Sequence, residues 1–216
     1  MSVVGIIAAG GSGERLGADR PKAFVVLRGR GMVEWSVEAL RDACDRLIVA
    51  VPAEVAGGSW QVGETVPGGD SRSASVRAAV LAAPEASVYV VHDAARPLVT
   101  ADLVERCLGA LGPGVDGAIA AARMTDTVKQ AASDGRVMRT LDRSSLWRIQ
   151  TPQVFRAEIL RQALDRDPTA LAAATDDAWL VEEIGGTVHV VEAPPLNMKV
   201  TTESDLRVAE TLLSDR

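Results

Sequence analysis

Positive charge is scarce in this chain of 216 residues. Lysine and arginine together number 23, against 29 aspartates and glutamates, which gives a formal net charge of −6 at pH 7. A broad basic surface of the kind that binds nucleic acid or an anionic membrane is therefore not expected. If the chain binds phosphates, the positive potential must be local, supplied by a few lysines and arginines together with a divalent metal ion.

Cysteine is also rare, and no long apolar run occurs. Cys44 and Cys107 lie far apart in apolar segments of helical pattern, without the C-x-x-C spacing of a metal site. Both are predicted to be buried free thiols, which suits a reducing cytoplasm. The apolar run near the N-terminus is too short for a signal peptide or a membrane span, and no basic segment precedes it. We therefore expect a cytoplasmic protein that does not contact a membrane.

Apolar runs alternate with segments of helical periodicity along most of the chain. Aromatic residues make up only 3% of it, alanine and valine are frequent, and the length allows one substantial core. The alternation predicts an α/β fold: a single three-layer domain over residues 1–216 with a mainly parallel, Rossmann-like sheet. The predicted strands are 2–9, 47–51, 62–66, 88–91, 117–121 and 188–191, with a short extended piece at 23–27; the predicted helices are 33–40, 73–83, 103–111, 157–165, 178–184 and 203–213.

Residues 123–148 interrupt this pattern. Two short extended segments surround the Asp134-Gly135 turn, which predicts a β-hairpin with little alternating core pattern of its own. A projecting arm that pairs with another subunit would explain that lack of a core face. A solvated excursion of the chain is the alternative.

A glycine-rich loop, Gly10–Gly17, follows the first predicted strand. Backbone N–H groups in such a loop can cradle phosphate oxygens, and Arg15 and Lys22 place two cations at its edge. The loop is not a dinucleotide fingerprint, because Leu16 replaces the last glycine, and it lacks the Gly-Lys-Ser/Thr end of a Walker A motif. A simple tight turn is the alternative. The combination G-G-S-G-E-R-L with P-K resembles nucleotidyltransferases that join a sugar or polyol phosphate to a nucleoside triphosphate.

Two further segments suggest a phosphate site. A second glycine turn, 68–72, precedes a helix whose first turn carries Ser73 and Ser75. Their hydroxyls either bind an anion or only cap the helix. Asp93 follows the third long strand, at the edge of the sheet where ligands of open α/β folds bind. Its carboxylate would suit Mg²⁺, because a Mg²⁺ ion that is bound to phosphates usually takes only one or two protein carboxylates as ligands. The neighbouring His92 is interpreted as structural.

Eight motifs occur in one order along the chain. They are G-G-S-G-E-R-L with P-K-A-F, G-G-D-S-R-x-x-S-V, V-H-D-A-A-R-P, D-T-V-K, L-D-R-S-S-L-W, Q-T-P-Q-V-F, T-D-D-A and N-M-K-V-T. The ordered set, from residue 3 to about 210, closely resembles the 2-C-methyl-D-erythritol 4-phosphate cytidylyltransferases. That family uses CTP in the non-mevalonate route to isoprenoids. The resemblance implies a homodimer joined through the arm, with no nucleic-acid partner.

The resemblance also implies site residues. Arg15, Lys22 and Lys199 are the catalytic cations, and Asp93 carries Mg²⁺. The CTP-binding residues are Ala9, Gly10, Gly11, Gly69, Asp70, Ser75 and Ala94. The methylerythritol phosphate-binding residues are Arg96, Thr127, Arg143, Thr151, Thr175 and Asp176, of which Thr127 and Arg143 reach the site of the neighbouring subunit from the arm.

The chain departs from the family pattern at two places. Ala8-Ala9-Gly10-Gly11 stands where Pro-Ala-Ala-Gly is usual, so the alignment can slip there by one residue, and Ala23 replaces a common glutamine. Neither change removes a charged group. Two other functions stay open: a cytidylyltransferase acting on another polyol phosphate such as ribitol 5-phosphate, and a non-catalytic nucleotide-binding module.

Overall fold

A mixed seven-stranded sheet forms the centre of the fold. It is seen in a computed structural model that describes residues 2–11, 21–55 and 62–214. The strands in chain order are β1 (Val3–Ala8), β2 (Val26–Leu27), β3 (Arg30–Gly31), β4 (Arg46–Val51), β5 (Glu64–Pro67), β6 (Val88–Asp93), β7 (Gly117–Arg123), β8 (Lys129–Ala131), β9 (Val137–Thr140), β10 (Trp147–Arg156) and β11 (Val188–Glu192). The central sheet has the order β11-β7-β10-β6-β1-β4-β5.

The carboxyl ends of the parallel strands lie at the edge of the sheet that forms the site described below. Strands β6, β1, β4 and β5 are parallel neighbours, and so are β7 and β11. The register of β1 and β6 sets Ala8 opposite Asp93, so the two strands end together. The prediction of a mainly parallel sheet is confirmed. Strand β10, which is antiparallel to both β6 and β7, was not predicted.

Helices cover both faces of the sheet, as predicted. They are α1 (Met32–Arg41), α2 (Arg72–Ala82), α3 (Ala101–Gly109), α4 (Ala157–Leu164), α5 (Pro168–Ala173), α6 (Asp177–Glu182) and α7 (Glu203–Ser214). Helices α2, α4, α5 and α6 pack on one face, and α1 and α3 on the other. Successive side chains of β1 point to opposite faces of the sheet, so Ile6 packs against the first helical layer and Ile7 against the second. None of these helices is long and apolar enough to cross a membrane within the described residues.

One local prediction is wrong in part, and one helix was not predicted. Residues 23–27 are not extended throughout: Lys22–Phe24 form one turn of 3-10 helix. Ala23 and Phe24 are both buried, and consecutive residues of a strand would point to opposite faces. Helix α5 was missed, although the chain carries a start signal for it, since the Asp167 carboxylate accepts the Ala170 N–H and Pro168 occupies the first turn.

The predicted β-hairpin is confirmed. Strands β8 and β9 pair antiparallel in a separate two-stranded sheet, and the turn between them contains Gly135 at φ 85°. Every residue of both strands is exposed. Two of them are large and apolar, Val137 at 56% and Met138 at 60% exposure. The hairpin therefore gains no stability from the core of its own chain.

The cysteine prediction holds in part. Both thiols are free, and Cys107 is buried in α3. Cys44 is not helical, because α1 ends at Arg41, and it is only partly buried. Burial raises the pKa of each thiol to about 12, so both are protonated and unreactive at neutral pH.

Candidate active site

A cleft of about 460 Å³ opens where β1, β5 and β6 end. This is the carboxyl edge of the parallel strands, where open α/β sheets bind ligands. Most residues predicted from the sequence to bind CTP or to carry catalytic charge line it. They are Ala9, Gly10, Gly11, Lys22, Gly69, Asp70, Ser75, Asp93, Ala94 and Lys199. Arg15 lies outside the described residues.

The first wall of the cleft is the end of β1. The Ala9 N–H donates to the Ala50 carbonyl at 2.9 Å, which continues the pairing of β1 with β4 beyond the strand. The Lys22 N–H donates to the Gly11 carbonyl at 3.1 Å. This bond brings Lys22 back to the strand end and into the cleft, although the chain between them is long.

The second wall is the turn that leads into α2. Ser71 caps the helix, since its hydroxyl accepts the Ala74 N–H at 3.1 Å. The Ser75 hydroxyl accepts the Gly69 N–H at 3.1 Å and donates to the Ser71 carbonyl at 2.9 Å. Ser73 is buried, and the helix begins one residue earlier than predicted. Both hydroxyls of the turn thus shape the backbone, which favours the capping interpretation over direct anion binding.

Gly69→Ala is expected to lower the free energy of unfolding by about 1–3 kcal/mol, the usual cost of overpacking. A Cβ at this position would lie 2.6 Å from the Ala74 Cβ and 3.2 Å from the Ala74 carbonyl carbon, so the turn must shift. Urea denaturation measures the change. Gly112→Ala is the control, because a Cβ there meets nothing within 4 Å. Equal stability of the two variants would contradict the close approach.

The floor of the cleft is formed by three charged side chains, Lys199, Asp93 and Arg72, whose ion pairs continue to the buried Asp177. Lys199 Nζ lies 2.8 Å from Asp93 Oδ2, and Arg72 Nε lies 2.7 Å from Asp93 Oδ1. The other end of the guanidinium, Nη1, lies 2.6 Å from Asp177 Oδ2. Burial would raise the pKa of Asp93, but Arg72 and Lys199 hold it well below its usual value. Asp93 is therefore ionised at neutral pH although it is buried.

Sequence reasoning assigned no role to Arg72 or Asp177. Arg72 belongs to the G-G-D-S-R motif and Asp177 to T-D-D-A, but they lie 105 positions apart and only the fold joins them. One signal was available in the sequence. A second aspartate stands beside a predicted helix cap at the start of an apolar helix, where burial of its carboxylate would require a cationic partner.

A chain of buried hydrogen bonds runs from the Asp93 backbone through Thr151 to His92. The Asp93 N–H donates to Thr151 Oγ1 at 3.0 Å, and Thr151 Oγ1 lies 3.0 Å from His92 Nδ1. The Thr151 hydroxyl proton is free to donate to Nδ1, which leaves Nε2–H to donate to the Arg96 carbonyl at 3.3 Å. This pattern requires a neutral imidazole. The interpretation of His92 as structural agrees with its complete burial.

Loss of stability at mildly acidic pH is expected from His92. Burial, and less strongly the charge of Arg96, lower its pKa from 6.5 to about 4 against the pull of Asp93. Since the unfolded chain binds this proton first, the contribution is complete above pH 6.5 and is lost as the pH falls towards 4. Between pH 7.5 and 5 it amounts to about 2 kcal/mol. His92→Gln should remove that part of the dependence in urea denaturation, and identical pH profiles for the two proteins would contradict it.

The residues predicted to bind methylerythritol phosphate do not line the cleft. Thr151 and Asp176 are engaged within the fold, and Asp176 caps α6 while its second oxygen accepts the Gln153 amide at 2.8 Å. Arg96 donates to the Asn197 carbonyl at 2.9 Å, and burial lowers its pKa. Thr175 is exposed beside the α6 cap. The others, Thr127 and Arg143, are exposed at the base of the hairpin, where Arg143 donates to the Thr125 carbonyl.

Comparison with known proteins extends over nearly the whole chain. A family model described as 2-C-methyl-D-erythritol 4-phosphate cytidylyltransferase matches residues 3–215. An enzyme of that name from Nocardia farcinica is 45% identical over 223 residues, covering 100% of this chain and 95% of the relative. Another, from a Synechococcus strain, is 40% identical over 221 residues, with 98% and 97% coverage.

Solved structures agree with the sequence relatives. The crystal structure of 2-C-methyl-D-erythritol 4-phosphate cytidylyltransferase from Thermus thermophilus superposes with a TM-score of 0.85 at 32% identity, covering 99% of this chain and 100% of that one. The 4-diphosphocytidyl-2C-methyl-D-erythritol synthase of Anaerococcus prevotii gives 0.83 at 25% identity, with 99% and 98% coverage. By motifs, fold and cleft alike, the chain belongs to the 2-C-methyl-D-erythritol 4-phosphate cytidylyltransferase family.

Proposed function

We propose that the chain transfers CMP from CTP to 2-C-methyl-D-erythritol 4-phosphate, giving 4-diphosphocytidyl-2-C-methyl-D-erythritol and pyrophosphate in non-mevalonate isoprenoid biosynthesis. One observation carries the proposal. Four separate segments of the chain bring two lysines, a glycine loop and an ionised carboxylate to one cleft at the edge of the sheet. The comparisons supply the substrate, since the relatives are named for methylerythritol phosphate and for cytidylyl transfer.

The reaction needs charge stabilisation more than proton transfer. A phosphate oxygen of the polyol attacks the α-phosphorus of CTP and forms a new P–O bond. The bond from the α-phosphorus to the bridging oxygen breaks, and pyrophosphate leaves with the electron pair. Because the attacking oxygen is already ionised at neutral pH, no general base is required. The chain must bring two polyanions together and stabilise the charge that develops at the α-phosphate and on the leaving group.

The lysines of the cleft suit this task. Lys22, held beside the glycine loop, is assigned to the phosphates of CTP together with Arg15 of the same loop. Lys199 is assigned to both substrates, since it lines the same cleft as the CTP residues and contacts Asp93. The turn with Gly69, Asp70 and Ser75 is assigned to the cytosine and ribose.

Asp93 is the residue that fits a divalent cation. Each of its oxygens accepts one bond, from Arg72 or from Lys199, so each keeps a second lone pair for a metal. No group of three or more His, Cys, Asp or Glu side chains that could hold a metal alone exists among the described residues. Such a site suits Mg²⁺, which takes one carboxylate and completes its shell with substrate phosphates and water. The ion would neutralise phosphate charge.

The polyol site is proposed to be completed by a second subunit. Thr127 and Arg143 lie at the base of the hairpin and do not line the cleft of their own chain. The exposed Val137 and Met138 give the hairpin an apolar surface for such a partner. We expect a homodimer in sedimentation analysis. Mixing inactive Arg143→Ala with inactive Lys22→Ala should restore activity, because the exchange of subunits rebuilds one intact site. Lasting inactivity of the mixture, once the subunits have exchanged, would contradict sharing between subunits.

Pyrophosphate release tests the proposed reaction. The purified chain is given CTP and Mg²⁺ with either methylerythritol 4-phosphate or ribitol 5-phosphate. Release with the first substrate alone is expected, and a chelator should abolish it. Release with ribitol 5-phosphate alone would keep the mechanism but overturn the polyol assignment. CTP binding without any release would instead identify a nucleotide-binding module.

A further inference from the structure

Arg72 joins a fully buried carboxylate to one at the cleft. Its Nε donates to Asp93 Oδ1, and its Nη1 donates to Asp177 Oδ2. Asp177 lies at the start of α6 and is fully buried, whereas Lys199 at the far end of the chain of charges is 45% exposed. The ion pairs therefore connect the interior of one helical layer with a partly exposed lysine at the cleft.

The geometry of Arg72 is unusual for an arginine beside a carboxylate. The Nε–H and one Nη2–H of a guanidinium point the same way and commonly grip both oxygens of one carboxylate. Here only Nε contacts Asp93, and Nη2 is buried without a hydrogen-bond partner among the described residues. The second oxygen of Asp93, which Nη2 would otherwise take, accepts from Lys199 at 2.8 Å instead.

Two arrangements of these groups thus compete. In one, Arg72 grips both oxygens of Asp93; although Oδ2 has a second lone pair, repulsion between the guanidinium at that oxygen and the ammonium of Lys199 releases Lys199. In the other, which is observed, the two oxygens are divided between Arg72 and Lys199. The contact with Asp177 at 2.6 Å favours the second arrangement, because it holds the guanidinium by its far nitrogen. Burial raises the pKa of Asp177, and the guanidinium of Arg72 at 2.6 Å opposes that shift. In its ionised form Asp177, together with Asp93, balances the charges of Arg72 and Lys199.

We propose that Asp177 is a positioning residue for the reaction: acting through Arg72, it leaves Asp93 Oδ2 for Lys199 and so fixes Lys199 in the cleft. The catalytic part of this proposal rests on the proposed function. The positional part does not, because it concerns only the contacts of Lys199.

Lysine labelling tests the positional part directly. The chain has only three lysines, Lys22, Lys129 and Lys199. Trace acetylation of the native protein with acetic anhydride, followed by mass spectrometry, gives the rate at Lys199 relative to Lys129 on the hairpin. In Asp177→Asn the cluster keeps one excess positive charge and Arg72 is free to turn towards Asp93. The relative rate at Lys199 should rise about fivefold, the fold-change for loss of a partly exposed ion pair.

Two further variants make the result specific. Asp116→Asn is the matched control, since it removes a carboxylate that accepts the Thr187 N–H at 2.9 Å far from the cleft, and its labelling ratio should equal that of the wild type. The double variant Arg72→Gln/Asp177→Asn removes the competing guanidinium and restores the charge balance. Its ratio should return to the wild-type value. If Asp177→Asn alone does not fold, the double variant decides the matter, because fast labelling of Lys199 without Arg72 would contradict the competition.

Kinetics separate positioning from a general loss of structure. In Asp177→Asn, Lys199 is displaced but not removed, so kcat should fall about tenfold, less than for the removal of an oriented cation. The KM for CTP should stay near the wild-type value. An unchanged labelling ratio in the folded single variant would overturn the proposal, whatever happens to kcat. If the chain shows no cytidylyl transfer at all, the proposed function fails and the labelling ratio still tests the role of Asp177.

Discussion

Lys22→Ala is expected to lower kcat for pyrophosphate release about 10²–10³-fold, the usual cost of removing one oriented charge donor from a preorganised site. Lys22 is held at the glycine loop by the bond from its N–H to the Gly11 carbonyl, and its side chain lines the cleft. Charge that develops at the α-phosphate would therefore lose one of the cations assigned to stabilise it. Steady-state kinetics with CTP and methylerythritol 4-phosphate measures the effect.

Arg41→Ala is the control for this prediction. Arg41 is an exposed cation at the end of α1 and does not line the cleft, so its removal changes the net charge of the chain equally. Its kcat should match the wild type. Turnover of Lys22→Ala within a few fold of the control would show that the lysine does not stabilise the transition state.

Asp93→Asn is expected to have the second large effect. Asp93 is the only carboxylate in contact with both Arg72 and Lys199 among the described residues, so its loss leaves two cations facing each other across a neutral amide. Removing one partner of a buried ion pair costs about 3 kcal/mol of unfolding free energy. Activity should also fall about 10²–10³-fold, because Lys199 loses its anchor and the proposed metal loses its ligand.

The matched control is Asp102→Asn on the surface. Its carboxylate also pairs with an arginine, Arg106, at 2.9 Å, but it is 76% exposed, so the expected cost is below about 1 kcal/mol. Urea denaturation and pyrophosphate release are measured for both variants. If Asp93→Asn were as stable and as active as Asp102→Asn, the charged floor of the cleft would have no role.

The parts of the site that were predicted from sequence are the segments that directly follow a predicted strand. The glycine loop and Asp93 each follow an apolar strand, and the carboxyl ends of parallel strands meet at one edge of a sheet. Their common location therefore follows from the alternation of strands and helices. The position of Lys199 does not, because it depends on how the segment after β11 crosses the cleft. That position came from the family resemblance, and the structure places Lys199 at the cleft.

What could not be predicted depends on contacts distant in sequence. The pairing of Arg72 with Asp177 joins two motifs across 105 positions, and neither motif alone reveals its partner. The direction of β10 is another case. An apolar strand of this kind can pair either way, and only the neighbours β6 and β7 decide it. The ligand roles of Thr127 and Arg143 stay predictions, because the contacts they require belong to a second subunit.

The strand order of the sheet has a consequence for synthesis of the chain. Strand β1 lies between β4 and β6, and β5 completes this side, so four neighbouring strands and helices α1 and α2 come from the first 93 residues. This half-sheet can assemble while the rest is still being translated. The outer edge of the apolar strand β6 then stays unpaired until β10 emerges, which takes several seconds at about 5–20 residues per second. During that interval the nascent chain is most exposed to edge-to-edge aggregation and to capture by chaperones.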